Sequence, residues 1–278
     1  MGAIRTLVDG LDHPEGVAYD RSSGDLWAGG EEGQLYRVDV EGRSYAEVAR
    51  APGLVLGLAV DGRGRVVLCC PSDRSVLVWD GLALRHVLAD GLTFPNFPAF
   101  GPDGTLYVTD SGRWRANDGR LWRIDADGQA EVLSDAVPHF TNGCAVSADG
   151  RYLWVVESYV PDVTRIDLRD GSHEFVTRIE GAVLDGVAFT ADGGLLVSCY
   201  RPDRIYHLGR DGSCAVVAED PQGTLLAAPT NVCFVGAELD RAVAANYGRR
   251  HLTLLDLGLA GLPLHAPEGW AVDVTVPG

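Results

Sequence analysis

The chain has 278 residues, 46% of them hydrophobic, and its formal net charge at pH 7 is −16. A chain of this length can form one large domain or two small ones. A surface with this much negative charge repels nucleic acid and anionic membranes, and neither is therefore expected as a partner. The sequence contains no lysine, which excludes catalysis through a lysine Schiff base.

The first residues and the cysteines both favour a cytoplasmic protein. Residues 1–5 do not form a basic segment followed by an apolar one, as a secretion signal would, and no apolar run approaches the roughly 18 residues of a membrane span. The six cysteines contain no CxxC pair and are expected to be buried free thiols.

Six similar strands recur along the chain at a spacing of about 40 to 50 residues, each after a comparable turn. They begin Glu15-Gly-Val-Ala-Tyr19, Leu56-Gly-Leu-Ala-Val60, Asn96-Phe-Pro-Ala-Phe100, Asn142-Gly-Cys-Ala-Val146, Asp185-Gly-Val-Ala-Phe189 and Thr230-Asn-Val-Cys-Phe234. A repeat of this length with several strands per period is typical of a β-propeller. We therefore predict an all-β, six-bladed propeller in which residues 1–278 form a single domain.

Each repeat is predicted to contain four strands, named A to D from the innermost outwards. In the second repeat they are Leu58–Asp61, Val66–Cys70, Ser75–Trp79 and Arg85–Ala89, which are apolar or alternating in character. Asp-Gly dipeptides at 149–150 and 192–193 mark the tight turn between strands A and B in the fourth and fifth repeats.

The last repeat shows three predicted strands but no clear strand D. The N-terminal segment Ile4–Leu11 is similar to strand D of the second repeat and its exit loop, Leu84–Leu92. We therefore predict that the N-terminal strand completes the last blade and closes the ring, which also removes two exposed sheet edges. Residues 269–278 would then be a surface extension.

The loops at one rim are longer than those at the other. Because neighbouring strands run antiparallel, the D-to-A and B-to-C loops emerge at one rim and the short A-to-B turns at the opposite one. The long, irregular loops all belong to the first rim and include 92–96, 111–119, 137–142, 159–162 and 200–203. Variable loops on a rigid scaffold commonly carry function, so we expect the site at this rim.

The first residue of each innermost strand is the most informative position of the repeat. Around the ring these residues are Glu15, Leu56, Asn96, Asn142, Asp185 and Thr230. Equivalent positions of a closed ring converge on one axis, where two carboxylates and two amides would offer an all-oxygen site for a hard divalent cation, Ca²⁺ first. Two alternatives stay open: Asn and Asp before Gly often cap turns, and Glu15 and Asp185 could share a proton without a metal.

Several segments resemble a known family of six-bladed hydrolases, the senescence marker protein, gluconolactonase and luciferin-regenerating enzyme group. The segments are His13-Pro-Glu-Gly16, Phe100-Gly-Pro-Asp-Gly-Thr-Leu-Tyr-Val-Thr-Asp110, Thr141-Asn-Gly143 and Leu184-Asp-Gly-Val-Ala-Phe189. The resemblance implies that Glu15, Asn142 and Asp185 bind a divalent metal. It also implies that Asn96 completes this site or touches the substrate, and that Asp185 is the general base.

The sequence departs from this family at the positions that recognise sugars. Sugar lactonases of the family typically carry an arginine two residues before the third-blade asparagine and an acidic residue in the following B-to-C loop. Here the first position is Phe94, and the loop after Asp110 has the sequence Ser-Gly-Arg-Trp-Arg. An aromatic or otherwise apolar ester or lactone is therefore favoured. Besides Asn96, the candidate substrate contacts are Phe94, Phe97, Trp114, His139, Phe140, Tyr159 and Tyr200.

The sequence thus predicts a metal-dependent hydrolase of a small carboxylic ester or lactone, with Ca²⁺, or Zn²⁺ or Mn²⁺ in its place, polarising the carbonyl and Asp185 activating water. A monomer or small homo-oligomer is expected. Two other functions stay open: a non-hydrolytic cyclase or lyase step in a biosynthetic pathway, and a non-catalytic binding propeller that holds a structural metal.

Overall fold

The computed structural model describes residues 3–268 and residue 270, and it contains 24 β-strands in six four-stranded sheets. In chain order the strands are β1 (Ala3–Asp9), β2 (Val17–Tyr19), β3 (Asp25–Gly29), β4 (Gln34–Asp39), β5 (Ser44–Arg50), β6 (Leu58–Val60), β7 (Val66–Cys70), β8 (Ser75–Trp79), β9 (Leu84–Leu88), β10 (Pro95–Phe100), β11 (Leu106–Asp110), β12 (Arg120–Ile124), β13 (Ala130–Ser134), β14 (Thr141–Val146), β15 (Tyr152–Glu157), β16 (Asp162–Asp167), β17 (His173–Arg178), β18 (Val183–Phe189), β19 (Leu195–Arg201), β20 (Arg204–Leu208), β21 (Cys214–Glu219), β22 (Pro229–Val235), β23 (Arg241–Asn246) and β24 (His251–Asp256). The predicted six-bladed β-propeller is confirmed.

The ring closes through its N-terminal strand. Five blades consist of four consecutive antiparallel strands each, starting at β2, β6, β10, β14 and β18, whereas the sixth has the order β1-β24-β23-β22. Its register places Ala3 opposite Asp256 and Asp9 opposite His251. The N-terminal strand therefore completes the last blade, as predicted, and backbone hydrogen bonds join the two ends of the ring.

The strands and the tight turns between them lie close to where the sequence predicts them. The four strands predicted in the second repeat agree with β6 to β9 to within one residue at each end. Gly150 and Gly193 of the two Asp-Gly turns have φ values of 69° and 82°, a region that favours glycine over other residues. The tight A-to-B turns thus lie at the rim opposite the long loops.

Apolar side chains pack between neighbouring blades and hold the inner strands around the axis. Between the first and sixth blades, for example, Leu7, Leu11, Val17 and Val243 form part of one buried cluster. Burying each such side chain contributes about 1.5–3 kcal/mol. The inner strands are therefore fixed from the sides, and their first residues are free to face the central channel.

The segment after β24 crosses the rim that carries the A-to-B turns. Leu262 donates its backbone N–H to Phe189 O of the fifth blade (2.9 Å), and His265 Nε2 donates to Ser147 O beside the fourth blade (2.8 Å). The chain thus runs from the sixth blade back across the end of the channel.

Trp270 corrects part of the prediction for the C-terminal residues. Its side chain is fully buried and packs edge-on against Phe100, with ring centroids 5.2 Å apart. Arg65 Nη2 also donates a hydrogen bond to the Trp270 carbonyl. Trp270 is therefore part of the core and not of a surface extension, because its large apolar ring fills a gap beside the third blade. The other residues of the predicted extension, 269 and 271–278, lie outside the described residues.

Five of the six cysteines are buried free thiols, as expected, but Cys214 on β21 is exposed because that outermost strand faces solvent. Within residues 3–268 there is no helix with the length and apolar character needed to cross a membrane.

Candidate metal and substrate site

A cavity of about 290 Å³ opens among the D-to-A and B-to-C loops, and all six blades line it. The six residues that the sequence predicted to begin the inner strands meet there: Glu15, Leu56, Asn96, Asn142, Asp185 and Thr230. The structure therefore brings together the four polar residues proposed from the sequence, on β10, β14, β18 and the turn that precedes β2.

Glycines beside these residues let the inner strands approach one another closely. A Cβ atom on Gly143 would lie 2.3 Å from the Asp185 carbonyl oxygen, and one on Gly16 would lie 2.0 Å from the Leu56 carbonyl oxygen. Both distances are too short for any side chain, so a larger residue would force the blades apart. The glycine after Glu15 and after Asn142 is thus required by the same convergence that brings those side chains to the axis.

The two carboxylates of the site are buried and lack a compensating positive charge. Glu15 and Asp185 are each 8% exposed, and no arginine or histidine forms an ion pair with either among residues 3–268 and 270. Burial raises the pKa of Glu15 to about 8. Burial and, next, the charge of Glu15 raise the pKa of Asp185 well above its usual value. A bound cation would relieve this cost of holding two negative charges together.

The two asparagines have their amide groups oriented by serines. Asn142 Nδ2 donates to Ser158 Oγ (3.1 Å), and Asn96 Nδ2 donates to Ser111 Oγ (2.9 Å). Asn142 Oδ1, in contrast, is buried and has no hydrogen-bond partner among the residues that the structure describes. A buried polar atom left unpaired is costly, so this oxygen has the character of a ligand atom. Together with the two carboxylates it forms a donor set that fits a hard divalent cation.

Aromatic rings form one side of the cavity above these oxygens. Four of the predicted substrate contacts line it: Phe94, Trp114, Phe140 and Tyr200. The rings of Phe94 and Phe140 lie 5.7 Å apart, and those of Trp114 and Phe140 lie 4.9 Å apart in an edge-to-face arrangement. Trp114 is 51% exposed at the mouth, where it is available to a ligand.

Three predicted substrate contacts lie elsewhere. Phe97 is buried in the core between the third and fourth blades and lines a second cavity at the opposite end of the channel, because alternate residues of a strand face opposite sides. Tyr159 packs behind Trp114, with ring centroids 5.5 Å apart, and His139 packs behind Tyr159 at the same distance. Tyr159 and His139 therefore support the aromatic wall from behind instead of lining the cavity.

Besides the ring residues Leu56 and Thr230, to which the sequence assigned no role, four lining residues were not among the predicted contacts: Leu54, Ser158, Val183 and Tyr247. Tyr247 directly follows the second strand of the sixth blade, and Tyr200 lies near the end of the second strand of the fifth, a similarity that could have found Tyr247. Its hydroxyl donates to Glu31 Oε1 (2.7 Å), and burial raises its pKa above the usual value.

A second group of possible ligand atoms lies at the rim beside Tyr247, where Asp12, His13 and Glu31 bring theirs within 4.8 Å of one another. Each already has a protein partner: Gln34 Nε2 donates to Asp12 Oδ2 (3.0 Å), Tyr247 donates to Glu31, and His13 Nδ1 donates to the Tyr247 carbonyl (2.9 Å). The axial site, with its unpaired oxygen, is the stronger candidate.

Comparison with known proteins agrees with this geometry. Residues 13–245 match the family model described as the SMP-30/gluconolactonase/LRE-like region. The chain belongs to this family. The match covers the inner strands of all six blades and every residue that lines the cavity except Tyr247. No curated protein matches the sequence at a significant level.

Solved structures similar to this family member share the whole propeller. A luciferin-regenerating enzyme aligns with a TM-score of 0.78 at 17% identity, covering 96% of this chain and 99% of its own. Regucalcin from Agrobacterium tumefaciens, described as a calcium-binding protein, gives 0.78 at 19% identity, covering 95% and 97%. A gluconolactonase from Xanthomonas campestris gives 0.79 at 21% identity, covering 92% and 89%. At these identities the likeness shows the fold.

Proposed function

We propose that this protein is a divalent-metal-dependent hydrolase of a small carboxylic ester or lactone whose substituent is more apolar or aromatic than a sugar. The observation that carries the proposal is the meeting of two uncompensated buried carboxylates and an unpaired amide oxygen beneath a cavity with an aromatic wall. Membership of a family whose description includes gluconolactonase supports a lactonase-type activity.

The oxygen donors of the site have separable tasks. Glu15, Asn142 and Asp185 would hold the cation, Ca²⁺ before Zn²⁺ or Mn²⁺ because every donor is an oxygen. Asn96 adds a fourth oxygen or donates to the substrate. When bound, the cation supplies Lewis acidity to the carbonyl under attack.

Asp185 is the candidate general base. Its carboxylate faces the cavity on the fifth blade and is held in a dry environment, so it can take a proton from a water that attacks the substrate carbonyl. Glu15 has the same burial but lies on the first blade, which does not adjoin the third and fourth blades that carry Phe94, Trp114 and Phe140. Asp185, in contrast, lies on the fifth blade, next to Asn142 of the fourth blade, and the fourth blade carries Phe140 of the aromatic wall.

The shape and chemistry of the cavity select the substrate class. A volume of about 290 Å³ accommodates one ring with a small substituent. Phe94, Phe140 and Trp114 offer ring faces and edges, and none of them can donate a hydrogen bond to sugar hydroxyls except the Trp114 indole N–H. A polyhydroxylated ligand would leave its hydroxyls unpaired against this wall, which disfavours its binding.

Hydrolysis of a matched panel tests the proposal. The panel contains dihydrocoumarin, γ-butyrolactone, phenyl acetate and a sugar lactone, each measured in metal-free protein, with Ca²⁺ added back, and with excess chelator. We expect turnover of the aromatic members that is lost on chelation and restored by Ca²⁺. Hydrolysis that chelator leaves intact, or a preference for the sugar lactone, would contradict the assignment.

A binding function is the second candidate, because a similar structure carries the description of a calcium-binding protein. It predicts Ca²⁺ binding without turnover of any panel member. Product analysis separates hydrolysis from a cyclase or lyase step, since only hydrolysis releases a free acid. The single domain over residues 1–278, the cytoplasmic location and the monomer or small homo-oligomer stay predictions.

A further inference from the structure

The second strands of the third and fourth blades end in the same pair of residue types, an acid followed by a serine. The pairs are Asp110-Ser111 at the end of β11 and Glu157-Ser158 at the end of β15. All four residues are at most 3% exposed. Neither acid lines the cavity, yet each lies one residue from a serine that touches a site asparagine.

The acid of each pair holds the loop that enters the blade. Asp110 accepts hydrogen bonds from the backbone N–H groups of Thr93 (2.9 Å) and Phe94 (2.6 Å). Glu157 Oε1 accepts one from the backbone N–H of His139 (2.5 Å) and lies 3.1 Å from the His139 ring nitrogen Nδ1. In both blades the anchored loop carries a phenylalanine of the aromatic wall.

The serine of each pair holds that phenylalanine from its other side. Ser111 N–H donates to the Phe94 carbonyl (2.9 Å), and Ser158 N–H donates to the Phe140 carbonyl (3.1 Å). Phe140 has a φ of 62°, a conformation that bulky residues rarely adopt and that persists only where neighbouring contacts impose it. The contacts from Glu157 and Ser158 lie on either side of this strained residue.

The hydroxyl of the same serine orients the amide of the site. Ser158 Oγ donates to the Leu184 carbonyl of the fifth blade (2.8 Å), so its lone pair is left to accept from Asn142 Nδ2. Ser111 Oγ likewise donates to the Thr141 carbonyl of the fourth blade (2.6 Å) and accepts from Asn96 Nδ2. An amide that gives its N–H to serine must turn its oxygen away from the serine.

We propose that Asp110-Ser111 and Glu157-Ser158 are two copies of one positioning pair, in which the acid sets the aromatic ring that selects the substrate and the serine sets the amide oxygen that binds the cation. This inference rests on the proposed function and adds the residues that couple its two parts. Neither acid is a catalytic residue, because neither touches the cavity.

The sixth blade supplies an internal comparison. Asn246 Oδ1 accepts from the backbone N–H of Ala227 (2.9 Å), and Tyr247 N–H donates to the Ala228 carbonyl (3.2 Å), so the backbone pattern is the same. Here, however, the anchored residues are alanines and the inner strand presents Thr230 instead of an asparagine. The sixth blade therefore keeps the loop anchor without an aromatic ring or an amide donor, and Asn246 is a matched control.

Substitution at Glu157 tests the acid. In Glu157→Ala we expect the ratio of kcat/KM for dihydrocoumarin to that for γ-butyrolactone to fall about tenfold, since a ring displaced by about 1 Å costs this much or more. Glu157→Gln keeps the accepting oxygen and should restore the ratio, while Asn246→Ala should leave it unchanged. A ratio that Glu157→Ala does not move, or that Asn246→Ala moves equally, overturns the role of the acid.

A structural measurement keeps this test independent of turnover. Crystal structures of the two Glu157 variants should show the Phe140 ring leaving its 4.9 Å contact with Trp114 in the alanine variant and keeping it in the glutamine variant. An unmoved ring in both variants overturns the assignment even if the protein has no hydrolase activity.

Calcium binding tests the serine. In Ser158→Ala, titration calorimetry with Ca²⁺ alone should show affinity about 10–100-fold weaker, the usual range for groups that orient a ligand. Ser75→Ala removes an equally buried serine hydroxyl that bonds Asp73 and should leave affinity unchanged. If Ser158→Ala does not fold, Ser111→Ala provides the second test through Asn96. Unchanged affinity in a folded variant overturns the pairing, whereas loss of affinity in a protein without turnover refutes only the proposed hydrolase.

Discussion

At one end of the central channel the cavity of about 290 Å³ holds the two buried carboxylates, whereas at the other end a cavity of about 420 Å³ has mainly apolar walls and lies beneath residues 262–268. The same inner strands line both ends. Three of them carry Asn96, Asn142 and Asp185 near their first residue and end with Phe100, Val146 and Phe189. Four residues of extended strand span about 13 Å, so the polar and apolar ends are separated by little more than one strand length.

One acid at each end shows what the difference means. Asp20 and Asp185 are equally buried, at 8% exposed. Burial alone would raise the pKa of Asp20, but hydrogen bonds from Ser22 and Ser23 lower it. For Asp185 burial and the charge of Glu15 outweigh the one hydrogen bond that lowers its pKa, from the Asn142 side chain, so its pKa is raised. At the end beneath residues 262–268, here called the closed end, hydrogen bonds within the protein stabilise the charged acid. At the end that holds Glu15 and Asp185, the open end, a bound cation would be needed to do so.

The largest effect should come from removing each acid in turn. Asp185→Asn should lower kcat/KM for the best panel substrate by about 10³-fold, because it removes the general base. Asp20→Asn makes the same chemical change at the same burial and should leave kcat/KM within about twofold, at some cost in stability. Steady-state kinetics of both variants at saturating Ca²⁺ decide the point, and equal losses would show that the two ends are not distinct in function.

The polar end could be predicted well from the sequence because its signal is periodic. Glu15, Asn142 and Asp185 stand at equivalent positions of a repeat, and closure of a ring brings equivalent positions together whatever the details of packing. Phe97 shows the limit of this reasoning: it follows Asn96 directly, and the alternation of strand side chains turns it away from the site. Tyr247 could not be ranked above other rim residues, because its place depends on how its loop folds.

Two phenylalanines at opposite ends should separate stability from recognition. Phe189 is buried at the closed end, 7% exposed, so Phe189→Ala should lower the free energy of unfolding by about 3 kcal/mol through the cavity it leaves. Phe140→Ala should cost less, because Phe140 is only half-buried.

Denaturant unfolding and kinetics measure both halves of this comparison. We expect Phe140→Ala to raise KM for dihydrocoumarin about tenfold and Phe189→Ala to leave KM unchanged in protein that is still folded. A rise in KM in both variants would mean that the aromatic wall is not a separate recognition element.

Calcium that binds at the open end should stabilise the folded protein against unfolding. At a free Ca²⁺ concentration of about 100 times Kd, the free energy of unfolding should rise by about 2.7 kcal/mol. Glu15→Gln should remove most of this gain and should also stabilise the metal-free protein, since one of two neighbouring buried charges is gone. Thermal unfolding with chelator and with Ca²⁺ measures both effects, and a gain that survives in Glu15→Gln would place the ion elsewhere.

The acid and serine pairs lay beyond sequence reasoning for a physical reason. Asp110 and Glu157 are the last residues of largely apolar strands. An acid at such a position is usually interpreted as the cap of a turn. Their partners are backbone N–H groups of Phe94 and His139, 16 and 18 residues away in the chain. Backbone donors leave no residue-type signal, so only the folded loops reveal which acid holds which ring.

The smallest effect concerns the pH dependence that Glu157 adds to stability. Burial raises its pKa from 4.5 to about 7 in the folded protein, so between these values the folded state binds the proton that the unfolded state has lost. This contribution to stability is fully present below about pH 4.5 and is lost as the pH rises through 7. Replacing the Glu157 carboxyl should therefore flatten the pH dependence of the free energy of unfolding, by on the order of 1 kcal/mol for a carboxyl that solvent partly screens.

Chemical denaturation of wild type and Glu157→Gln, both in the presence of chelator, at pH 5 and pH 8 measures the difference. The glutamine variant should gain relative to wild type at pH 8 and not at pH 5, because glutamine keeps the accepted hydrogen bond without the buried charge. A gain of equal size at both pH values would show that Glu157 is not held in the folded protein as a buried acid.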